Sequence, residues 1–476
     1  MTTPDFFRAR LDGMIDLNHS LAILRNRLPW TEIETVLSGY FVRKDRTGKR
    51  IPCDDLFGSS LQIAGGANTQ SGRPRLSIRL MVSLLLLKHT YNESDESVVE
   101  RWAQDVYFQY FSGLDYFEAK KPCDPTQIGR FRTAIGEAGL AELLARTVNT
   151  AVALKAIEPN ELETIIVDST VQEKAIAHPT DSRLLEVARI KLVVCAKRAG
   201  IALKQSFQKE GKTLRFRAGG YAHAKQFKRL RKVVRRQRTI VGILIREIQR
   251  KMLPVSAEMQ ATLTLWLERA QRIVNQQPKD KQKLYALHAP EVECIGKGKA
   301  KKPYEFGVKV SLATTHKKGL IVGAKSFPTN PYDGHTLAEQ IEQTNIVLMD
   351  QNVAVKTAYV DLGYRGSDAS VDEVNVIHRG KIKSLTTQQR RNLKRRQAIE
   401  PIIGHVKQDH GMQRCWLKGQ AGDALHAISC ALGFNIRWLL RAIVRLGCAP
   451  FFVLIFLCTF IEANRQTQPK VHPMLA

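Results

Sequence analysis

The sequence predicts an α/β protein whose sheet is split by a long helical insertion and preceded by an all-helical segment. Three observations carry this. Glu163-Thr-Ile-Ile-Val-Asp168 and Val353-Ala-Val-Lys-Thr-Ala-Tyr-Val-Asp361 are short, β-branched runs that read as buried strands, each ending in an acid. Between them, from about Ser182 to Pro254, the chain is long-helical and basic. Residues 1 to about 155 carry helix-length apolar patterns.

In chain order, Ser77–His89 and Ser97–Phe111 are expected as helices separated by the polar turn Asn92–Asp95. Ser97 is the expected cap of the second, because Glu100 follows at capping-box spacing. A further helix should begin near Asp124-Pro125-Thr126 and run past Phe131 toward Leu144. With Arg130, Arg132 and Arg146 nearby, these helices read either as a helix-turn-helix DNA reader or as a plain bundle. The basic stretch is densest at Lys225, Lys228, Arg229, Arg231, Lys232, Arg235, Arg236 and Arg238, and a second helix follows over Ala257–Asn275. Strands return after the basic loop Gly296–Lys302. Glu305–Thr314 alternates and should pair with Leu320–Phe327 across Lys317-Lys-Gly319. Asp333 is expected to cap a helix running to Met349. Val374–His378 reads as a short strand, and the chain turns helical from Thr386.

Charge narrows the partner. Lys plus Arg is 73 and Asp plus Glu 45, so the formal net charge is +28. On a chain that is 44% hydrophobic, and therefore not a disordered one, this excess calls for a polyanion. Nucleic acid comes first and an anionic membrane surface second. The basic helix is expected to grip phosphates, the alternative being a solvated helical hairpin. The eight cysteines contain no C-x-x-C pair, so neither a zinc ribbon nor a disulfide framework is expected, and a reducing cytosol fits. The first residues show no apolar signal region. The apolar run Cys448–Ile461 falls short of the ~20 residues a spanning helix needs.

Chemistry is expected at Asp168, Asp361 and Glu400. Two strand-end carboxylates with a third on a crossing helix are the oxygen donors that Mg²⁺ takes, and two such ions can activate an attacking oxygen at a phosphodiester. The competing reading of each acid alone is a cap or turn residue. Pro401 directly after Glu400 means that the helix there either kinks or starts at Pro401 with Glu400 as its cap. Glu173, Asp181, Asp333 and His335 lie in or between the same segments as supporting candidates. Gly211-Lys-Thr213 lacks the earlier P-loop glycine, where Ser206 stands, and His405, His410 and Cys415 fit no standard zinc spacing.

Val167-Asp-Ser-Thr-Val-Gln-Glu173, Tyr359-Val-Asp-Leu-Gly-Tyr-Arg-Gly366 and Ala398-Ile-Glu-Pro-Ile-Ile-Gly-His-Val-Lys407 resemble the three acidic motifs of bacterial insertion-sequence DDE transposases, the InsH-like group among them. The resemblance, over about residues 60 to 440, implies a ribonuclease-H-like core that cuts element ends and joins them to target DNA. It implies Mg²⁺ (or Mn²⁺) held by Asp168, Asp361 and Glu400. The group's Tyr-x2-Arg-x3-Glu-x6-Lys pattern is matched by Arg396, Glu400 and Lys407, with Leu393 in place of tyrosine. Arg396 and Lys407 would then touch DNA, together with Lys228, Arg229, Lys232, Arg235 and Arg236 of the insertion. The expected division is a helical DNA-binding segment (1–155), a core in two parts (156–181 and 301–442), the basic insertion (182–300) and an apolar tail (443–476). Expected partners are double-stranded DNA, as terminal repeats and target, and a second copy on DNA. No membrane partner is expected, and the place is the cytoplasm, at the nucleoid. A plain metal-dependent nuclease, or the DNA-binding protein of a decayed element, would share many of these features.

Overall fold

Helices α1 (Leu11–Met14), α2 (Ser20–Arg27), α3 (Trp30–Ser38), α4 (Ile78–Tyr91), α5 (Asp95–Trp102), α6 (Val106–Phe111) and α7 (Thr126–Ala153) open the computed structural model, which describes residues 9–41, 76–281, 283–296, 303–366, 371 and 373–466, with side chains to 447. Ser77 caps α4 by accepting from the Leu80 amide. The single helix expected over Ser97–Phe111 is two. Ser94 is the first one's cap, because its hydroxyl takes the Ser97 amide while the Ser97 hydroxyl takes the Ser94 amide. Asp105 then starts α6 by accepting from the Tyr107 and Phe108 amides. Helix α7 begins one residue after Pro125 and is broken at Gly136, whose φ of +63° suits glycine.

The sheet comprises β1 (Thr164–Glu173), β2 (Glu293–Gly296), β3 (Tyr304–Thr315), β4 (Ile321–Phe327), β5 (Thr357–Tyr359) and β6 (Asn375–Ile377), in the order β2-β3-β1-β5-β6 with β4 also on β3. β3 runs antiparallel to β1, β2 and β4; β5 runs parallel to β1 and β6. β2 and β4 share one edge of β3, since Glu293 faces Gly307 and Phe327 faces Lys309. Two expectations change here. β1 does not end at Asp168, because its ladder to β3 continues to Glu173 opposite Gly307. β5 is only Thr357–Tyr359, because its parallel partner β1 begins at Thr164, opposite Thr357.

Between β1 and β2 the chain leaves the sheet through α8 (Asp181–Arg198), α9 (Gln208–His223), α10 (Phe227–Lys251) and α11 (Ala257–Asn275). These four build their own core, with Leu185, Leu192, Leu244, Ile248 and Leu263 at its centre. The helical start and the sheet, by contrast, share one continuous core that runs from Leu24 and Leu84 through Ile165 and Leu312 to Ile428 and Leu439. Helix α12 (Asp333–Leu348) covers β3 and β4; α13 (Thr387–Arg395) and α14 (Ile399–Asp409) follow β6. Helix α15 (Gly419–Gln466) joins the halves by packing on α4, α7 and β4. Its part Gly419–Gly447 is the one described helix long and apolar enough to cross a bilayer, yet the most apolar 18-residue stretch is 83% buried inside the protein. Gly433 lets α15 touch α4, for a Cβ there would meet the His89 carbonyl oxygen at 2.4 Å. The amino-terminal residues, the basic loop 297–302 and the side chains of the apolar run 451–461 lie outside the described residues.

Three histidines, His89, His410 and His426, are buried where α4, the end of α14 and α15 meet. His426 Nδ1 lies 2.9 Å from Gln172 Oε1, and His410 Nδ1 2.8 Å from the His89 carbonyl. Burial pushes His426 down to about 3 and His410 to about 4, and holds His89 well below the usual imidazole range. The folded chain keeps all three neutral, whereas the unfolded chain protonates them below pH ~6.5. Stability is therefore fully present above pH ~6.5 and falls as pH drops toward 4, by up to about 1.4 kcal/mol per pH unit for each histidine. Urea melts at pH 7, 6 and 5 check this. The His426→Gln chain should lose stability with acid less steeply than the parent, and equal slopes would refute the assignment.

Candidate active site

Strand register brings the first two acids together. Ile166 pairs with Tyr359 across the parallel β1–β5 ladder. Asp168 and Asp361 each lie two residues further on, Asp361 just beyond the last residue of β5, so the alternation of strand side chains directs both toward the same face of the sheet. Asp361 stands at the cap position of the 3₁₀ turn Leu362–Tyr364, and Asp168 accepts the Ser169 amide at 2.8 Å. Asp333 is not the cap of α12: Tyr332 holds that position without a side-chain bond. The Asp333 carboxylate instead accepts from Ser169 Oγ and Lys309 Nζ, both at 2.8 Å. A Cβ at Gly363 would come within 3.1 Å of Asp333 Oδ2, so the turn after Asp361 rests against this carboxylate. Tyr364, 1% exposed, has its phenol pushed up by burial first and by Asp333 and Asp168 next, so it stays protonated.

Glu400 arrives on α14, which packs on β1. Thr386 and Gln389 form the capping box of α13. A 3₁₀ turn, Arg396–Ala398, then bends the chain into α14. Neither arrangement expected around Pro401 holds. The helix starts at Ile399, Glu400 is its second residue and Pro401 its third, where a missing N–H costs no intrahelical bond. Arg396 is 8% exposed and lies at the centre of the three acids. Its Nη1 is 3.3 Å from Asp168 Oδ2; its Nη2 is 3.8 Å from Asp361 Oδ1 and 3.6 Å from Glu400 Oε1. Among the described residues, no three His, Cys, Asp or Glu side chains are already gathered as a metal site. The donor chemistry nevertheless suits a hard divalent cation, since all three groups are carboxylates. Three acids against one guanidinium leave a net charge of about −2 when all are ionised. Lys407 sits half-buried on α14, about two turns past Glu400.

Position in the sequence singles out the three acids and Asp333, and the resemblance adds Arg396, but neither points to the roles of Ser169, Lys309 and Tyr364. Lys309 is the one basic residue of β3, flanked by Val308 and Val310, which is the one trace of its role in the sequence. His335 faces the Tyr332 ring, and Asp181 lies 3.7 Å from Arg238, so neither joins this cluster.

The insertion presents a second surface. Val233, Gln237, Ile240, Val241 and Leu244 form the buried stripe of α10, leaving Lys228, Arg229, Lys232, Arg235 and Arg236 exposed. Arg236 is forked onto Glu210 at 2.7 and 3.1 Å, and Arg229 bonds Gln226 at 3.0 Å. Gly211 lies inside α9 against Glu186 and Arg189, not in a phosphate loop.

Comparison with known proteins gives three matches. A family model described as a transposase domain (DUF772) matches residues 60–134, and one described as a transposase DDE domain matches residues 368–440, the part that holds Arg396, Glu400 and Lys407. The "uncharacterized protein ORF8 in nfe locus" of Rhizobium meliloti is 39% identical over 223 residues, which are 47% of this chain and 95% of the relative. No solved structure matches.

Proposed function

The chain belongs to the DDE transposases of bacterial insertion sequences, and on that footing we propose that it cuts insertion-sequence ends and joins them to target DNA by metal-dependent hydrolysis and transesterification. The observation that carries this reading is the convergence of Asp168, Asp361 and Glu400 on one cationic group, Arg396. The mixed sheet supports a ribonuclease-H-like core: an antiparallel β1–β3–β4 half continued by parallel β5 and β6. Asp168, Asp361 and Glu400 would hold Mg²⁺ or Mn²⁺, and the residual charge of about −2 is what a divalent cation neutralises. The bound ion would activate the attacking oxygen and stabilise the leaving one. Asp333, fixed by Ser169 and Lys309, braces the Asp361 turn, and Arg396 keeps the carboxylates from repelling one another apart. We assign residues 1–155 to recognition of the terminal repeats, 156–181 with 301–442 to the core, 182–300 to holding DNA and 443–476 to a tail. Two copies acting on the paired ends, at the nucleoid, complete the reading.

Incubating the purified chain with labelled element ends, with and without Mg²⁺, tests it. Metal-dependent nicking at the element boundary is expected, and cutting without regard to the ends would leave a plain nuclease. The exposed face of α10 makes a separate prediction. Replacing Lys228, Arg229, Lys232 and Arg235 with Gln should weaken binding to all DNA sequences and flatten the dependence of log K on log[salt] by up to about 0.9 per lost phosphate contact. Arg236→Gln should change the slope least, because Glu210 already neutralises that charge. An unchanged slope in the fourfold variant would turn this face away from DNA.

A further inference from the structure

The three acids of the site arrive on three separate segments: Asp168 on β1, Asp361 just after β5, and Glu400 on α14 beyond the 3₁₀ turn Arg396–Ala398. Register sets the first two. No strand carries the third, and the elbow between α13 and α14 packs through a small apolar cluster of its own, in which Leu393 and Ile399 join Ile166 and Tyr359. His316, the residue after β3, touches all three segments. Its amide donates to the Thr164 carbonyl at the start of β1, 3.0 Å away. Its ring packs against that of Tyr359 in β5, two residues before Asp361, with centroids 4.8 Å apart. Its Nε2 lies 3.0 Å from the Asn392 carbonyl in α13. A carbonyl only accepts, so Nε2 carries the proton and donates. The His316 carbonyl in turn accepts from Arg395 Nε at 2.9 Å, and the Lys317 carbonyl accepts from Arg395 Nη2. Asn392 Nδ2 donates to the Tyr359 hydroxyl at 3.2 Å and closes the circle.

Cohesion alone does not call for an imidazole here. His316 is 6% exposed, and an apolar ring would fill the same space against Tyr359 without taking polar atoms out of water. What the imidazole adds is direction, a bond to one particular carbonyl of α13. Burial above all holds it below the usual imidazole range, so at pH 7 the ring is neutral and keeps that single donor. Asn392 and Arg395 both lie in the last turn of α13, directly before the 3₁₀ bend, so a shift at either passes into the segment that carries Glu400. We propose that His316 is a positioning residue: it sets the α13–α14 elbow against β1 and β5, and thereby brings Glu400 to the place where it shares a cation with Asp168 and Asp361. This rests on the reading of the three acids given above, and adds to it the residue that holds the helix-borne acid to the two strand-borne ones.

Two substitutions separate direction from packing. His316→Phe keeps a ring on Tyr359 and removes the donor, whereas His316→Gln removes the ring and keeps an N–H at nearly the same reach. The readouts are cleavage of labelled element ends at saturating DNA, and Mn²⁺ binding to the chain alone by electron paramagnetic resonance, both beside melting curves. His316→Phe is expected to lower the cleavage rate and the Mn²⁺ affinity by about tenfold or more, since partners behind the ligands of a metal are worth ~10–100-fold. Its affinity for DNA should stay at the parent's value, because the exposed face of α10 is untouched. His316→Gln should recover most of both losses. A residue that only filled space would give the reverse order, with Phe the better substitute. Arg395→Gln, at an exposed position, repeats the test with little risk to the fold and should lower the same two quantities. Parent-like cleavage and Mn²⁺ affinity in His316→Phe and Arg395→Gln, or Phe serving better than Gln, overturns the proposal and leaves the metal reading intact. Mn²⁺ binding that Asp168→Asn does not weaken overturns that reading and this one with it.

Discussion

Asp168→Asn and Asp361→Asn are each expected to abolish Mg²⁺-dependent cleavage of element ends, a loss on the order of 10³-fold or more, since metal charge stabilisation is worth several kcal/mol and each 1.36 kcal/mol is tenfold. Glu400→Gln should follow them. Each change removes a carboxylate charge with almost no change of volume, and each leaves Arg396 two of its three acidic neighbours. Thermal melting and DNA affinity should therefore stay close to the parent's. Gel assays on labelled ends, run beside melting curves, separate loss of chemistry from loss of fold. Near-normal cleavage by any one variant would strike that residue from the site.

The largest effect on stability is expected at Lys174. It follows the last residue of β1, with side-chain exposure of only 6%, and bonds Asp423 Oδ1 at 2.6 Å and Glu291 Oε1 at 2.9 Å. Those acids are themselves 2% and 7% exposed, so the cation holds the start of α15 against the end of the sheet. Lys174→Met leaves two carboxylates buried beside one another without a countercharge, and should cost about 3–5 kcal/mol in urea unfolding. Combining it with Glu291→Gln and Asp423→Asn removes those charges as well, and should recover a large part of the loss. A triple variant no more stable than the single one would mean that the lysine acts through its packed stem and not through its charge.

Local chemistry made much of the fold legible. β-branched runs mark β1 and β5, alternation marks β3, β4 reads as its hairpin partner, and the chain turns helical from Thr386, which caps α13. The errors arose where a partner decides the outcome. The polar half of β1, from Ser169 to Glu173, is a strand because β3 lies beside it, and no local propensity reports that. Ser94 and Ser97 are both good caps, and only the reciprocal bonding between them chose the earlier one. Helix α15 was the least visible element. The most apolar 18-residue stretch within Gly419–Gly447 is largely enclosed, so it lacks the exposed polar face from which a helical period is read. At the site, the acids could be named from their motifs. The position of Arg396 could not, since a motif places it four residues from Glu400 and says nothing about the two strands that close around it.

The register of β1 and β5 carries an evolutionary consequence. Asp168 and Asp361 are separated by 361 − 168 = 193 residues of chain, yet they meet because each lies an even step beyond one paired couple, Ile166 and Tyr359. Deleting a single residue between Ile166 and Asp168 would send that acid to the other side of the sheet. Adding or removing whole turns of α8–α11 would leave both acids where they are, because that excursion departs beyond β1 and returns at β2, with a core of its own. Sequence drift is thus sharply rationed over a few residues and almost unregulated over more than a hundred. Descendants of this chain can exchange the entire insertion, and whatever it grips, without disturbing the distance between the carboxylates.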